Sequence, residues 1–165
     1  MAWRVRQAGH ADLGAAARMK AQSWTESYSS LLPPDVIASR TNAEAVARTA
    51  AAYLADADAG AYFWVVVGDE GEVVGVAHAC PARDADAPQP LELAMIYLLD
   101  VAKGSGIADR LLETAIGDAP AYLWVLAGNE RAQAFYRRHG FAPDGTTKVV
   151  GSARITEERW VRPGA

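Results

Sequence analysis

The segment Tyr122–Leu126 constrains the fold of this chain more than any other stretch. Its residues, Tyr-Leu-Trp-Val-Leu, do not alternate between apolar and polar, so neither face of the strand is suited to water. Strands of this kind occur in sheets that are covered on both sides, as in α/β proteins. A helical pattern follows from Asn129 to about His139 and is placed to end at Gly140. The segment therefore predicts a βαβ unit in the second half of the chain.

Periodicity predicts the remaining elements. Strands are expected at residues 3–7, 62–67, 72–80, 91–99, 146–150 and 155–161. The first helix is expected to run from Asp12, as its N-cap, to about Tyr28, and a second is expected to begin at Pro34. Two more helices are expected over residues 42–57 and 106–116. We expect strands 91–99 and 122–126 to be parallel neighbours that splay apart at their C-terminal ends. The prediction is a mixed α/β fold with a mostly antiparallel central sheet of six to seven strands and flanking helices.

Composition narrows the class of protein. A chain of 165 residues, 51% of them hydrophobic, is expected to form a single domain over residues 1–165. Cys80 is the only cysteine, which excludes an intramolecular disulfide and a cysteine-rich metal site. The apolar runs are too short for a membrane span or a signal peptide, so we expect a cytoplasmic protein without a membrane partner. The net charge of −4 argues against nucleic acid as a partner.

The segment Met95–Leu112 joins a hydrophobic strand to an amphipathic helix through a loop that contains Gly104 and Gly106. The amides of such a loop and of the first helical turn have no partner inside the helix. Together with the helix dipole they can bind a diphosphate without a metal. A Walker A loop is excluded because it requires Gly-Lys-Ser/Thr where this chain has Lys-Gly-Ser-Gly. A dinucleotide-binding fold is disfavoured because three strands precede the one that leads into the glycines. A plain strand-to-helix connection is the other interpretation.

The same loop resembles the Gln/Arg-x-x-Gly-x-Gly/Ala pattern of the GNAT-type N-acetyltransferases. The resemblance implies that acetyl-CoA is bound by Lys103, Gly104, Ser105, Gly106, Ile107 and Ala108. Ile96, Tyr97 and Leu98 resemble the strand end whose backbone holds the pantetheine arm and the acetyl carbonyl in that family. The chain departs from the family pattern twice: Lys103 replaces glutamine or arginine, and Asp100 stands where many members have proline.

A second stretch resembles the family more specifically. GNAT enzymes carry Asn-x-x-Ala-x-x-Phe-Tyr-x-x-x-Gly-Phe after a strand, and every position matches from Asn129 to Phe141. Asn129 is also a good N-cap for the helix. The resemblance implies that Asn129 and Tyr136 contact the cofactor and that Tyr136 is the general acid. We expect Phe135 to pack against the sheet while Tyr136 faces the cleft, and we interpret His139 as a helix-end residue.

The resemblance also implies a general base and residues that line the acceptor site. For each of these residues a purely structural role is the alternative. Glu92 occupies the position where several histone-modifying members carry a glutamate, and it is the candidate general base. It could instead begin the strand and face solvent. His78 is the alternative base and Asp100 a weaker one. Trp24 and Tyr28 resemble the helix that lines the acceptor side, although an aromatic cluster without substrate contact explains them equally well.

The resemblance implies an N-acetyltransferase that moves an acetyl group from acetyl-CoA to a primary amine by direct attack. The acceptor is expected to be a small molecule or a peptide, since fold does not determine which. No metal is expected, and the protein is expected to be a monomer or a homodimer. The alternative is a non-catalytic GNAT-like module that binds acyl-CoA as a sensor or partner domain.

Overall fold

The computed structural model describes residues 2–165 and contains, within that range, five α-helices and seven β-strands. The helices are α1 (His10–Tyr28), α2 (Pro34–Thr41), α3 (Ala43–Asp58), α4 (Ile107–Ile116) and α5 (Glu130–Arg138). The strands are β1 (Arg4–Gln7), β2 (Phe63–Val67), β3 (Val73–Pro81), β4 (Leu91–Leu98), β5 (Ala121–Leu126), β6 (Ala142–Val150) and β7 (Ile155–Arg162). None of the helices in residues 2–165 combines the length and the hydropathy that crossing a membrane requires.

The strands form a mixed sheet in which hydrogen-bonded neighbours follow the order β1-β2-β3-β4-β5-β7-β6. β4 and β5 run parallel, with Glu92 opposite Tyr122. The β1–β2, β2–β3, β5–β7 and β6–β7 pairs are antiparallel. The predicted mixed α/β fold, with a mostly antiparallel sheet and one parallel pair, is therefore confirmed. The splay of β4 and β5 at their C-terminal ends stays a prediction.

Contacts along the backbone divide the chain into two compact units. The first contains the residues up to 78 together with residues 95–117, and the second contains residues 79–94 and 118–165. Strands β3 and β4 therefore contribute residues to both units. The prediction that residues 1–165 form a single domain stays a prediction.

Helix α1, in the first unit, begins earlier than its sequence predicts. Gly9 is the N-cap, and Asp12 is the third helical residue. The Asp12 carboxylate accepts a hydrogen bond from the Gly9 amide at 2.7 Å, and the Arg6 guanidinium donates to it at 2.7 Å. The prediction that Asp12 is the N-cap is therefore wrong. Its side chain satisfies the N-cap amide from inside the first turn, which is the second half of a capping box.

The core of the first unit forms where α1, α3 and α4 pack on its strands. Leu13, Phe63, Val76 and Leu111 are at most 2% exposed. Gly75 on β3 is required by close packing, because a Cβ there would lie 2.8 Å from both Leu98 Cδ1 and Val66 Cγ2. Real Cβ atoms do not approach so closely, so β3 depends on this glycine.

The second unit is organised around β5, whose residues Ala121–Leu123 are at most 1% exposed. This burial agrees with the uninterrupted apolar pattern of the strand. Strand β6 begins at Ala142 rather than at the predicted residue 146. Its pairing with β7 shifts between Pro143 and Thr147, and this irregular stretch contains the turn-like sequence Pro-Asp-Gly. The sequence resembles a turn because the bulge uses the same residue types as a turn does.

Candidate active site

In the first unit, the connection from β4 to α4 contains two glycines in the left-handed backbone conformation. Gly104 has φ +79° and Gly106 has φ +83°, and no neighbouring atom of the described chain lies within 4 Å of where a Cβ would sit. Backbone strain, and not lack of space, therefore disfavours other residues at both positions. Gly106 is the N-cap of α4, so the helix begins directly after the loop.

Several amides of this loop have no hydrogen-bond partner in the described part of the chain. Among residues 2–165, no acceptor is found for the backbone N–H groups of Ser105, Gly106 and Ala108. The Ser105 hydroxyl donates to the Ala102 carbonyl at 2.6 Å and accepts a long hydrogen bond from the Ile107 amide at 3.4 Å. Free amides at the positive end of a helix dipole form a site for an anion. The loop thus has the chemistry that a diphosphate requires, contributed mostly by its backbone.

The two departures from the family pattern contact each other. Asp100 begins a 3-10 turn, and its Oδ1 lies 2.5 Å from the Lys103 ammonium nitrogen. Lys103 also donates to the Ser27 hydroxyl at 3.2 Å, while the Asp100 amide donates to Glu26 Oε2 at 2.7 Å. The negative charge of Asp100 is therefore paired within the loop. Lys103 is 17% exposed and pairs with Asp100, and its role in binding the cofactor stays a prediction.

Helix α1 also carries an aromatic pair in its last two turns. The rings of Trp24 and Tyr28 meet edge to face, with centroids 4.8 Å apart. The Arg40 guanidinium lies 5.6 Å from the Trp24 ring, and the Lys20 ammonium lies 5.7 Å from the Tyr97 ring. Neither cation was identified from sequence. The signal for Lys20 was its spacing of four residues from Trp24, which puts the two on one helix face.

His78 on β3 is held by two contacts within the first unit. Its Nδ1 lies 2.8 Å from the Tyr62 carbonyl oxygen, and its ring stacks on Phe63 with centroids 4.4 Å apart. Phe63 contacts Tyr53, whose hydroxyl donates to the Met95 sulfur at 3.1 Å. A carbonyl can only accept, so Nδ1 is the donor in this contact, and Nε2 is the ring nitrogen that accepts in the neutral tautomer. His78 is therefore oriented so that the other ring nitrogen can accept a proton.

Helix α5, in the second unit, carries the second motif. The Asn129 side chain accepts a hydrogen bond from the Ala132 amide at 3.3 Å, which confirms Asn129 as the N-cap. Tyr136 is 8% exposed and contacts Phe141 edge to face, whereas Phe135 is only half-buried. The expectation that Phe135 is the packed ring of the pair is therefore wrong. Gly140, at φ +86°, turns the chain so that Phe141 returns against Tyr136.

Glu92 is buried in the second unit and is only 2% exposed, so the alternative that it faces solvent is wrong. Arg83 donates to both carboxylate oxygens, from Nη2 at 2.6 Å and from Nε at 3.1 Å. The Tyr122 hydroxyl lies 2.9 Å from Oε1. Burial alone raises the pKa of Glu92, but the hydrogen bonds from Arg83 and Tyr122 outweigh it, and the pKa lies below its ordinary value. Glu92 is therefore a stable carboxylate with both oxygens occupied.

The loop before β4 is tied to β5 by a second carboxylate. Asp84 Oδ2 lies 2.9 Å from the Tyr122 hydroxyl and accepts from the Trp124 indole at 2.8 Å. The single hydroxyl proton of Tyr122 is thus shared between Asp84 and Glu92. Burial, and then hydrogen bonding to Asp84 and Glu92, raises the pKa of Tyr122. Arg83 and Asp84 were missed from sequence because the loop is polar and proline-bearing, as surface loops are.

The described residues contain no group of three or more His, Cys, Asp or Glu side chains arranged to hold a metal ion. The candidate groups are instead the loop amides and His78 in the first unit, and Tyr136 and Glu92 in the second. Each was named from sequence, and each now has a defined environment. Their roles stay predictions.

The acetyltransferase (GNAT) family model matches residues 22–141, and the chain belongs to this family. The crystal structure of PaiA N-acetyltransferase from Thermoplasma acidophilum, in complex with coenzyme A, is 17% identical, with 96% of this chain and 98% of that chain covered and a TM-score of 0.69. A ribosomal-protein-alanine N-acetyltransferase from Brucella melitensis is 22% identical (96% and 98% covered, TM-score 0.71). A phosphinothricin acetyltransferase from Sinorhizobium meliloti, in complex with AcCoA, is also 22% identical (100% and 90% covered, TM-score 0.68). No curated protein sequence matches the chain. At these identities the structures establish the GNAT fold, and the family supports acyl transfer from acetyl-CoA.

Replacing Glu92 by glutamine tests the buried ion pair. We expect the Glu92→Gln variant to lose about 1–3 kcal/mol of unfolding free energy at pH 7, because a charge-assisted pair is replaced by weaker hydrogen bonds. The folded-state pKa of Glu92 is lowered, so its contribution is present above the ordinary glutamate pKa and is lost as pH falls through the folded value. The difference between the two proteins should therefore shrink in acid.

Urea denaturation at several pH values measures this difference. The matched control is Glu44→Gln, because Glu44 also pairs with an arginine, Arg48, but is 83% exposed. An exposed helix pair contributes about 0.3–0.5 kcal/mol, so this variant should change little. A Glu92 effect as small as that of Glu44 would contradict the assignment.

Proposed function

We propose that this protein transfers an acetyl group from acetyl-CoA to a primary amine of a small molecule or peptide, by direct attack of the amine on the thioester. The observation that carries the proposal is the group of unpaired amides at Ser105, Gly106 and Ala108, at the start of α4. Membership of the GNAT family supports the acetyl-CoA chemistry. Release of a thiol from acetyl-CoA in the presence of a panel of amines tests the proposal directly. We further propose that the reaction takes place in the cytoplasm.

The proposed reaction requires three groups. The nitrogen of the neutral amine forms a bond to the thioester carbon, and its proton passes to a base. A backbone amide near Leu98 stabilises the oxyanion of the tetrahedral intermediate. The carbon–sulfur bond then breaks, and the CoA thiolate takes a proton from Tyr136. A phenol with a pKa near 10 can donate to such a leaving group, and burial of Tyr136 favours a fixed donor over a mobile one.

A base is needed because an alkylamine is neutral in only about one molecule in a thousand at pH 7.4. Two side chains are candidates for this base. Glu92 was the first choice from sequence. Both of its oxygens are engaged by Arg83 and Tyr122, so accepting a proton would cost these contacts. His78 has a fixed Nδ1–H and, within the described chain, no partner at Nε2. The hydrogen bonding therefore favours His78, and Glu92 remains the alternative.

A non-catalytic module that binds acyl-CoA is the second candidate function. The observation that favours it is the ion pair between Glu92 and Arg83, since a carboxylate paired with an arginine is a poor base. The two candidates differ in turnover and agree on CoA binding. Tight binding of acetyl-CoA without thiol release, over a broad amine panel, would favour the module.

Substitution of Gly106 tests the loop. We expect Gly106→Val to weaken CoA affinity by at least tenfold, because a branched side chain at φ +83° displaces the amides that bind the diphosphate. Isothermal calorimetry with CoA is the measurement. Gly71 has the same φ of +83° and equally no atom near its Cβ position, but it lies in the turn between β2 and β3. Gly71→Val therefore controls for backbone strain. Equal CoA affinity in the two variants would show that the loop at Gly106 does not bind the CoA diphosphate.

Substitution of Tyr136 tests the acid. Tyr136→Phe should retain acetyl-CoA affinity and lower the turnover number by about ten- to a thousandfold, because the proton is needed only as the carbon–sulfur bond breaks. Steady-state kinetics with calorimetry separates the two quantities. Tyr62→Phe is the control, since Tyr62 is 62% exposed. A Tyr136→Phe enzyme with an unchanged turnover number would exclude this tyrosine as the acid.

Substitution of His78 tests the base. We expect His78→Gln to lower turnover near neutral pH by about ten- to a hundredfold. Raising the pH should partly restore it, since more of the amine is then already neutral. A pH–rate profile is the measurement. His10→Gln is the control, because His10 is exposed and pairs with Asp58 on α3. If the pH rescue appears in Glu92→Gln and not in His78→Gln, then Glu92 is the base.

A further inference from the structure

We call residues 82–90, which connect β3 to β4, the strap. Within the second unit, charged side chains hold the strap to three neighbouring strands, one side chain to each strand. The pairs are Arg83 with Glu92 on β4, Asp84 with Trp124 on β5, and Asp86 with Arg159 on β7. The shortest donor–acceptor distances in these pairs are 2.6, 2.8 and 3.2 Å. Polar contacts therefore fasten the strap to the sheet.

The three receiving side chains share one face of the sheet. Glu92 lies opposite Tyr122 in the parallel β4–β5 pair, and Arg159 lies opposite Trp124 in the β5–β7 pair. Tyr122 and Trp124 are two residues apart on one strand, so their side chains point to the same side. The strap thus crosses a single face of the sheet over three strands.

The strap has no apolar anchor. None of residues 82–90, all of which the structure describes, is buried, and the segment contains no apolar side chain larger than proline. The Arg83 side chain is 64% exposed and that of Asp86 is 75% exposed, so water already reaches both. Polar contacts of this kind exchange for contacts with water at a small net cost, whereas separating packed apolar surfaces has a large one. Opening the strap is therefore less costly than unfolding the strands beneath it.

The sheet side of these contacts is fixed without the strap. Arg159 Nε donates to the Asp144 carboxylate at 2.6 Å, and Arg159 Nη2 donates to the Thr146 hydroxyl at 3.0 Å. The Lys148 ammonium lies 4.0 Å from the centroid of the Trp124 ring. These partners lie on β5, β6 and β7 and keep their positions when the strap leaves. The sheet is therefore ready to receive the strap again.

Arg83 supplies most of the donors that reach Glu92. Its backbone amide, its Nε and its Nη2 all donate to the carboxylate, and the Tyr122 hydroxyl is the fourth donor. Burial raises the pKa of Glu92, and the hydrogen bond from the Arg83 side chain is the largest contribution that lowers it. A Glu92 released from Arg83 is thus a stronger base. The Ala82 amide donates to the Pro90 carbonyl at 2.9 Å, which ties the two ends of the strap together.

We propose that residues 82–90 open and close as one strap while β4, β5 and β7 stay folded, and that Glu92 is free to accept a proton only when the strap is open. In the closed form Arg83 occupies both carboxylate oxygens, so the chain itself keeps Glu92 from acting as a base. The inference goes beyond the proposed function, because it concerns when Glu92 is available and not which amine is acetylated.

Hydrogen exchange measured by NMR on the native protein tests this proposal without any substrate. The Arg83 amide donates to Glu92 Oε1 at 3.2 Å and the Trp124 indole donates to Asp84 Oδ2 at 2.8 Å, so each proton exchanges when its own contact opens. The slowest amides of β5, which pairs with β7 along its whole length, report on unfolding of the sheet. We expect the two strap protons to share one opening constant, at least about a hundredfold larger than that of the β5 amides. A Trp124→Phe variant assigns the indole resonance.

Because the strap contacts are charged, salt and a single carboxylate should control them. Raising sodium chloride from about 0.05 to about 0.5 M should speed exchange of both strap protons about two- to fivefold, because screening weakens the attraction between exposed partners. Asp84→Asn should speed it about tenfold, since the Trp124 indole then donates to a neutral oxygen. Asp144→Asn is the matched control, because Asp144 pairs with Arg159, as the strap does, but lies on β6. It should leave exchange of both strap protons unchanged.

Three results overturn the strap. If its protons exchange as slowly as the β5 amides, the contacts open only when the sheet unfolds, and Glu92 is never free in the folded protein. Unequal opening constants for the Arg83 amide and the Trp124 indole show two local motions and not one strap. Equal acceleration by Asp84→Asn and Asp144→Asn shows a general loosening of the second unit. Each result stands apart from the proposed function, because exchange is measured whether or not any amine is acetylated.

Discussion

Helix α4 begins with amide groups that the rest of the described chain does not satisfy, and the candidate site depends on this constraint. The arrangement is possible because Gly104 and Gly106 take backbone angles that side chains resist, so the chain turns from the 3-10 turn at Asp100–Ala102 directly into a helix. The Ser105 hydroxyl donates to Ala102 and accepts only from the Ile107 amide, so the amides of Ser105, Gly106 and Ala108 stay unpaired. The loop is thus fixed from inside while its donors stay unpaired, which is the condition for binding an anion without rearrangement.

The charge of the loop is balanced locally. A carboxylate at position 100 would repel an anionic cofactor if it were unpaired, and the Lys103 ammonium at 2.5 Å neutralises it. The sequence shows the two substitutions separately, as two departures from a family pattern. The structure shows that they compensate each other across one turn of chain. A single-site comparison with relatives would therefore misjudge either residue taken alone.

Local sequence patterns predict most of the helices and strands. The environments of single side chains were missed, because they depend on tertiary contacts. The uniform apolar run of β5 and the Asn129 cap with its Gly140 stop follow from neighbouring residues, so sequence predicts them well. The environment of Glu92 does not, because its partner Arg83 lies in a polar loop and Tyr122 lies on another strand. The same holds for Tyr136, whose burial depends on where Phe141 returns. Side chains that meet across elements leave no signal in spacing along the chain.

Strand β6 has one further consequence. It is the outermost strand of the second unit, and an outermost strand offers its backbone groups to other chains, which is how sheets grow into aggregates. The shift in register between Pro143 and Thr147 interrupts that row of backbone groups, and proline contributes no donor there. The charged Lys148 lies farther along the same strand. The irregularity at the start of this strand therefore disfavours pairing of its edge with another copy of the chain.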